Sequence, residues 1–259
     1  MPFAKFPDGQ LFYEWAGPEH APVLVLSSSL GTTHRMWDPQ VAAFTRHFRL
    51  LRYDMRGHGQ SSATPGPYTI EKLGSDVVHL LDFLKLDRAH FCGLSIGGMI
   101  GMFLGASAAE RLQKVVLCNT APKIGTAESW NARIDAVRRG GMRAVAADVA
   151  GRWLTPAYRA SHPAEAAGVL HMLEEANPDG YAASCAAVRD ADLRESLQHV
   201  KVSPLVLAGT HDPATPPSDG QFLATHIPGA KYVEVNAAHL SNIEAQDDFN
   251  AQVLGFLGK

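Results

Sequence analysis

One short stretch, residues 89–105, constrains the fold more than any other part of the sequence. It reads AHFCGLSIGGMIGMFLG. The apolar run that ends at Cys92 is typical of a buried strand, and the apolar residues that follow Gly97-Gly98 are typical of a helix packed on a sheet. Only the turn GLSIG separates them. A turn this tight strains the residue at its apex, and glycine on both sides removes the collisions that larger side chains would make. The pattern predicts a strand that passes directly into a helix, with Ser95 at the apex.

The same alternation of strand and helix recurs along the chain. The helical pattern TIEKLGSDVVHLLDFLKL carries apolar residues at helical spacing between two strand-like runs. Seven runs are typical of strands: LFYEWAG, PVLVLSSS, FRLLRYD, RAHFCG, KVVLCNT, SPLVLAGT and KYVEVNA. Strands that alternate with helices favour a parallel sheet covered on both faces. We therefore predict an α/β fold with a mostly parallel central sheet flanked by helices.

The interval from about Pro122 to Val200 interrupts this rhythm. It contains no convincing strand and reads instead as several helices, among them AESWNARIDAVRRGG and PAEAAGVLHMLEEA. A helical insertion between two strands of a sheet is well placed to act as a lid. We expect residues 1–121 and 201–259 to form the core and residues 122–200 to form a helical cap.

Composition limits the classes of function. The chain has 259 residues with 46% hydrophobic and 19% charged residues, which is typical of a globular domain. A net charge of -3 gives no reason to expect nucleic acid or an anionic membrane as a partner. The segment MPFAKFPDGQLFYEW lacks the apolar core of a signal peptide, and no later run is long enough to span a bilayer. We expect a cytoplasmic protein that acts on a small molecule, and its oligomeric state stays open.

The three cysteines are an odd number without metal-ligand spacing. Cys92 and Cys118 lie in apolar, strand-like runs. We expect all three, including Cys185, to be buried thiols, and we expect no metal site.

A serine hydroxyl at an exposed apex is a candidate nucleophile, but it needs a base and an orienting carboxylate. Functional groups of open α/β sheets gather past the carboxyl ends of the strands. Asp212 follows the run PLVLAGTH, and His239 follows YVEVNAA. The order Ser95, Asp212, His239 is the order expected for a triad on this architecture. We predict these three as the catalytic residues.

Three neighbouring residues have simpler interpretations. His211 is expected to point away from the side of Asp212 if the strand alternation persists. Asp219 looks like a helix cap or surface residue. Glu244 is expected early in the last helix, where a carboxylate complements the helix dipole.

An acyl-transfer site also needs backbone N–H donors for the oxyanion. One predicted donor is the N–H of Ile96, the residue after the serine at the start of a helix. The second is expected from the loop after the strand PVLVL, which reads SSSLGTTHRMW.

The segments GLSIGG, YDMRGHGQS, AGTHDPATP and NAAHLSNIE resemble recurring segments of the α/β-hydrolase superfamily across essentially the full chain. The stretches SSLGTTHRMWDPQV, CGLSIGGMIG, SWNARIDAVRRGGMRAV and RWLTPAYR resemble more closely the 3-oxoadipate enol-lactonases. The resemblance implies a serine hydrolase without a cofactor that opens 3-oxoadipate enol-lactone to 3-oxoadipate in the β-ketoadipate pathway. It also implies that Leu30 is the second oxyanion donor and that His58 is mainly structural. His34 lies in the oxyanion loop, where we expect a surface or loop-bracing role rather than a place in the pocket lining.

A substrate of this kind carries a free carboxylate, which a planar arginine fork binds well. Trp130 and Arg133 are one helical turn apart, so an aromatic face and a guanidinium share one side of a helix. We predict this pair as substrate-binding. The alternative is that Trp130 fills the core of the cap and Arg133 makes a surface salt bridge, in which case Arg138, Arg139 and Trp153 are the substitutes.

Three other functions stay open from the residues alone. The same triad serves small-ester carboxylesterases and cofactor-free perhydrolases, and it serves hydrolases that cleave a C–C bond. A hydrolase-fold receptor would keep the pocket and work through partner recruitment.

Overall fold

The computed structural model describes residues 2–258 and contains one sheet of eight strands in that part of the chain. The strands are β1 (Phe3–Phe6), β2 (Gly9–Ala16), β3 (Val23–Ser27), β4 (Arg49–Tyr53), β5 (Ala89–Leu94), β6 (Leu112–Cys118), β7 (Leu205–Gly209) and β8 (Lys231–Val235). Their order across the sheet is β1-β2-β4-β3-β5-β6-β7-β8. Only the pairs β1–β2 and β2–β4 are antiparallel among these strands. The six neighbouring strands β4, β3, β5, β6, β7 and β8 are parallel to one another, so their carboxyl ends lie at one edge of the sheet.

Helices flank this sheet. Those of the described residues are α1 (Asp38–Phe44), α2 (Ile70–Phe83), α3 (Ile96–Ser107), α4 (Ala127–Gly140), α5 (Ala146–Trp153), α6 (Pro156–Ser161), α7 (Pro163–Glu174), α8 (Pro178–Asp190), α9 (Pro217–His226), α10 (Ser241–Glu244) and α11 (Gln246–Leu257). Short 3-10 turns lie at His34–Trp37, Ala109–Arg111, Met142–Ala144 and Arg194–His199. The alternation around a mostly parallel sheet confirms the predicted α/β fold.

Helix α2 illustrates how local sequence sets the elements that flank the sheet. The side chain of Thr69 caps its first turn by accepting a hydrogen bond from the N–H of Lys72. Its buried residues Leu73, Val77 and Leu80 recur at helical spacing, so one face packs inward and the other meets solvent.

Strand β1 and helix α6 are two of the elements that the sequence did not predict. Strand β1 is four residues long and only Ala4 is fully buried in it, so its pattern carries no clear period. It pairs with β2 as an antiparallel hairpin at the edge of the sheet. Helix α6 has six residues and none of them is buried, which leaves no apolar stripe to detect.

The chain between β6 and β7 forms α4 to α8, which we call the cap helices. Helix α4 begins with a capping box in which Thr126 and Ser129 each bond the other's backbone N–H. Its buried face carries Trp130, Ile134 and Val137. Helix α4 packs on α8, and α5 packs on α7. The division into core and cap at residues 121 and 201 stays a prediction.

The remaining features of the described chain are simple. No helix within residues 2–258 is long and apolar enough to cross a membrane. Cys92, Cys118 and Cys185 are free and buried thiols.

Candidate active site

Ser95 occupies a strained turn between β5 and α3. Its backbone has φ 61° and ψ -119°, a conformation that residues other than glycine rarely adopt. A Cβ added to Gly93 would lie 2.1 Å from the carbonyl oxygen of Gly97, and one added to Gly97 would lie 2.3 Å from that of Ser27. Both flanking positions therefore require glycine, as the sequence analysis expected. The turn leaves the Ser95 side chain in the wall of a cavity.

Asp212 and His239 meet beyond the carboxyl ends of β7 and β8. The Nδ1 atom of His239 lies 2.8 Å from Oδ2 of Asp212. Each residue is only 3% exposed. His239 lines the same cavity as Ser95. The fold thus brings Asp212 and His239 within hydrogen-bonding distance and places Ser95 and His239 in the wall of one cavity, although the three residues are far apart in the chain.

A dense set of donors surrounds the carboxylate of Asp212. Its Oδ2 atom also accepts from Oγ1 of Thr215 at 2.7 Å and from Nδ2 of Asn119 at 3.0 Å. Its Oδ1 atom accepts from the backbone N–H groups of Ala214 at 2.8 Å and Thr215 at 3.1 Å. The carboxylate therefore accepts five hydrogen bonds, which hold it in one orientation.

These contacts decide the protonation state of Asp212. Burial alone would raise the pKa of the carboxyl, but attraction to His239 and hydrogen bonds from His239, Asn119 and Thr215 outweigh it. The pKa of Asp212 is lowered to about 2. The side chain is an anion at neutral pH, so it can orient the imidazole and stabilise its protonated form.

The sequence analysis missed Asn119 and Thr215. Asn119 lies near the end of the predicted strand run KVVLCNT and directly follows the observed strand β6, which is the same kind of position that pointed to Asp212, so this signal was available. Thr215 lies three residues after Asp212 in a turn, where a hydroxyl commonly bonds a preceding carboxylate.

The two predicted oxyanion donors are free to bind a ligand. Ile96 is the first residue of α3, and Leu30 lies in the loop after β3 and lines the cavity. Among the hydrogen bonds of residues 2–258, none has the backbone N–H of Leu30 or Ile96 as its donor. Two unpaired N–H groups beside a nucleophile are what an oxyanion hole needs.

The loop that carries Leu30 is braced by two histidines outside the cavity wall. The backbone N–H of Gly31 donates to Nε2 of His58 at 2.9 Å. Burial lowers the pKa of His58, which keeps the ring neutral and able to accept. His34 bonds Oδ1 of Asp54 through both its backbone N–H and its Nδ1 at 2.8 Å. These contacts agree with the structural roles expected for both histidines.

A cavity of about 210 Å³ lies between the sheet and the cap helices. Its wall on the sheet side includes Ser29, Leu30, Ser95 and His239, and its wall on the cap side includes Trp130, Arg133, Trp153 and Tyr181. The ring of Trp153 stacks over His239 with centroids 6.2 Å apart. The cap helices therefore close the cavity directly over the candidate base.

The predicted pair Trp130 and Arg133 lies in this wall. The guanidinium of Arg133 sits 4.5 Å from the centre of the Trp130 ring. Trp130 is also held by a 2.6 Å bond from its Nε1 to the carbonyl of Ile124. Arg133 forms no ion pair with a carboxylate of the described residues, whereas Arg152, in the same wall, is paired with Asp148 at 2.8 Å. Arg133 is the cation available to an anionic ligand.

The substitutes divide into two groups. Trp153 lines the cavity. Arg138 and Arg139 lie in the last turn of α4 and do not line it. Because neither arginine lines the cavity, Arg133 is the stronger candidate.

The expectation that Glu244 lies early in the last helix is wrong, because Glu244 is the final residue of the short helix α10 and precedes α11. Its carboxylate accepts from the N–H of Ala238 at 2.9 Å and from the N–H of Thr155 at 3.1 Å, and it also accepts from the Thr155 hydroxyl. It therefore ties the His239 loop to the start of α6. His211 does turn away from Asp212, because its Nε2 bonds Oδ1 of Asn236 at 2.9 Å. Asp219 is half-buried in the first turn of α9.

Comparisons with known proteins agree with this geometry. A family model described as the alpha/beta hydrolase fold matches residues 22–162. The chain is 42% identical over 246 residues to 3-oxoadipate enol-lactonase 2 of Acinetobacter baylyi, which covers 95% of this chain and 92% of that protein.

Two solved structures are similar over almost the whole length. The crystal structure of the enol-lactonase from Burkholderia xenovorans LB400 matches with a TM-score of 0.98 and 48% identity, covering 100% of each chain. A thermophilic esterase from Thermogutta terrifontis matches with a TM-score of 0.90 and 25% identity, covering 99% of this chain and 96% of that chain.

Proposed function

The chain belongs to the α/β-hydrolase fold family, and on that premise we propose that Ser95, His239 and Asp212 act as nucleophile, general base and orienting carboxylate. The enzyme is an ester hydrolase, and its substrate is 3-oxoadipate enol-lactone, which it opens to 3-oxoadipate.

One observation carries the choice of substrate within the site. Arg133 is a cation in the wall of the cavity that contains Ser95 and His239, and it has no carboxylate partner among the described residues. An arginine that stacks on Trp130 is held in place while its N–H fork stays available. A lactone with a free carboxylate supplies the missing anion. Burial also raises the pKa of Tyr181 well above its usual value, so its phenol beside Arg133 stays neutral.

The first half of the reaction breaks the lactone ring. His239 takes the proton of the Ser95 hydroxyl as Oγ attacks the carbonyl carbon, and the N–H groups of Leu30 and Ile96 stabilise the oxyanion. When the intermediate collapses, the bond from the acyl carbon to the ring oxygen breaks. His239 returns the proton to that oxygen, which leaves as an enol while the acyl group stays on Ser95.

The second half releases the product. Water enters, and His239 removes one of its protons as the oxygen attacks the acyl carbon. The bond from that carbon to Oγ then breaks, His239 returns the proton to Oγ of Ser95, and the released acid ionises to a carboxylate. The enol becomes the more stable ketone, so reclosure of the ring is disfavoured. The anion of Asp212 stabilises the imidazolium in both halves.

Hydrolysis of 3-oxoadipate enol-lactone, followed by ultraviolet absorbance, tests the site. Ser95→Ala should lower kcat by at least about 10⁴-fold, since the nucleophile is lost. Arg133→Ala should lower kcat/KM for the lactone by about 10- to 100-fold, the cost of one charged contact. A neutral aryl ester should be hydrolysed equally well by wild type and Arg133→Ala.

Arg139→Ala is the matched control, because Arg139 lies on the same helix and outside the cavity. It should leave both substrates unaffected. If Arg133→Ala and Arg139→Ala behave alike, the carboxylate contact is wrong. If Ser95→Ala retains activity, the proposed nucleophile is wrong.

A neutral-ester hydrolase is the second candidate, favoured by the likeness to the Thermogutta terrifontis esterase. The aryl ester decides between the two. A higher kcat/KM for the ester than for the lactone, with no effect of Arg133→Ala, would select the esterase. Slow single turnover with a persistent adduct on Ser95 would instead support a receptor.

A further inference from the structure

The end of β6 contributes no member of the proposed triad, yet it contacts the backbone or side chains around all three. From this we infer that Cys118, Asn119 and Thr120, which we call the β6 frame, position Ser95, Asp212 and His239 relative to one another. Asn119 and Thr120 are positioning residues, because neither lines the cavity. The inference rests on the proposed catalytic roles.

One side of the β6 frame holds the nucleophile turn. The N–H of Ser95 donates to the carbonyl of Cys118 at 2.9 Å. The hydroxyl of Thr120 donates to the carbonyl of Ser95 at 2.7 Å. Thr120 also packs closely on Gly98, since a Cβ added to Gly98 would lie 2.6 Å from the Cβ of Thr120. The strained turn is thus fixed from the neighbouring strand at both its N–H and its carbonyl.

The other side of the β6 frame holds the acid and the base. Nδ2 of Asn119 donates to Oδ2 of Asp212 at 3.0 Å and to the carbonyl of Ala238, the residue before His239, at 3.1 Å. Its Oδ1 accepts from the hydroxyl of Ser241, two residues after His239, at 2.5 Å. One carboxamide therefore links the loops that follow β7 and β8.

The contacts of Asn119 require an amide. The side chain is 1% exposed, and its nitrogen faces two acceptors while its oxygen faces a donor. An aspartate here would direct a negative oxygen at a carbonyl and at the Asp212 carboxylate. The backbone of Asn119 has φ 44°, in the left-handed region that asparagine tolerates better than most residues. Conformation and hydrogen bonding thus favour the same residue type.

The two halves of the β6 frame predict different defects. Thr120→Val removes only the bond to the Ser95 carbonyl, so kcat should fall about 10-fold with KM and the pH profile unchanged. Asn119→Asp adds a negative charge beside the Asp212–His239 pair. It should lower kcat by about 10- to 100-fold and move the acid limb of the kcat/KM profile to higher pH, since imidazolium is stabilised.

The other charged groups near the Asp212–His239 pair must be unchanged in the variants, so that a shift of the pH profile can be assigned to residue 119. Asp219 of α9 and Glu244 of α10 are the carboxylates that act on Asp212 and on the His239 loop, and Arg133 and Arg152 are the cations in the cavity wall. None of these groups contacts Asn119 in the described hydrogen bonds and ion pairs. A shift of the acid limb in Asn119→Asp therefore reports the new charge.

The experiment measures lactone kinetics against pH and the rate at which a fluorophosphonate labels Ser95, for wild type and each variant. Labelling needs no knowledge of the natural substrate, so it tests the β6 frame even if the lactone assignment fails. Thr45→Val is the matched control, because the Thr45 hydroxyl makes an equally short 2.7 Å bond to a backbone carbonyl outside the cavity. It should label at the wild-type rate.

Slower labelling of Thr120→Val than of Thr45→Val, with a raised acid limb in Asn119→Asp, supports the inference. Wild-type labelling and an unmoved pH profile in folded Asn119→Asp would overturn it. If that variant does not fold, Ser241→Ala replaces it, because it removes one anchor of the Asn119 amide without adding charge. Labelling of Ser241→Ala that is several-fold slower supports the frame, and labelling at the wild-type rate counts against it.

Discussion

The two walls of the cavity are held by different forces. On the sheet side, the carboxylate of Asp212 accepts five hydrogen bonds and is almost fully buried. On the cap side, Arg133 rests on the Trp130 ring without a carboxylate partner among the described residues. The sheet side is tightly specified by directional bonds, and the cap side is specified mainly by packing.

This difference corresponds to a division of labour. Transition-state stabilisation requires groups that are in place before the reaction, and hydrogen-bonded, buried side chains meet that need. Substrate recognition requires unsatisfied groups that a ligand can complete, and Arg133 is one. Changes in the sheet wall should therefore lower the rate for every ester, whereas changes in the cap wall should alter the choice among esters.

The largest effect is expected when the anion in the sheet-side wall of the cavity is removed. Asp212→Asn should lower kcat by about 10³- to 10⁴-fold for the lactone and for an aryl ester alike, because the imidazole loses its orienting anion. Steady-state kinetics with both substrates measures this. A loss confined to the lactone would contradict the division between the walls.

The next largest effect is expected from a change in the cap-side wall of the cavity. Arg133→Lys keeps the charge and loses the planar fork and its stacking on Trp130, so KM for the lactone should rise about 5- to 10-fold. The kcat value for an aryl ester should not change. Kinetics beside Arg133→Ala separates charge from geometry, and equal defects in the two variants would show that the fork alone matters.

A smaller effect is expected where the walls are joined. Glu244→Gln replaces an acceptor of bonds from Ala238 and Thr155 with a group that also donates. The free energy of unfolding should fall by about 1–3 kcal/mol, as for a weakened charged hydrogen bond. Urea unfolding measures this, with Glu175→Gln at the exposed C-cap of α7 as control. Equal stability of the two variants would remove Glu244 as a tie between cap helices and sheet.

The smallest effect concerns pH and the loop of Leu30. The pKa of His58 is lowered by burial. As the pH falls, this side chain therefore takes up a proton at a higher pH in the unfolded chain than in the native protein. Its contribution to stability is fully present above about pH 6.5 and is lost as pH falls toward the folded pKa. His58→Gln keeps an acceptor for Gly31 and removes this titration. Urea unfolding between pH 7 and 5 should give a shallower decline for the variant, and parallel curves would contradict the assignment.

Much of the fold was predictable from the sequence. The central residues of strand runs such as KVVLCNT are continuously apolar because both faces of a parallel sheet are covered, and this pattern is visible in the sequence alone. The turn GLSIG could be predicted from the sequence because the positions that flank a strained apex accept few residue types other than glycine. Strand β1 and helix α6 were missed because they are short and bury almost nothing.

The candidate site was predicted unevenly. Ser95, Asp212 and His239 could be named because each follows a recognisable strand, and the structure brings Asp212 and His239 within hydrogen-bonding distance. Asn119 and Glu244 were missed as partners because their roles depend on which loops meet in space. The strand-end position of Asn119 marked it as a candidate, but its partners could not be read from the sequence, and a glutamate such as Glu244 is common at helix starts.

The sequence by itself determined the α/β fold, the order of the candidate triad and the glycines of its turn, because these depend on local sterics and on the periodicity of apolar residues. Only the tertiary structure decided that Asn119 links Asp212 to the His239 loop, that Glu244 ties this loop to the cap helices, and that Arg133 rather than Arg139 reaches the cavity. Those contacts join residues up to 119 positions apart, and such pairings are set by the packing of the whole chain.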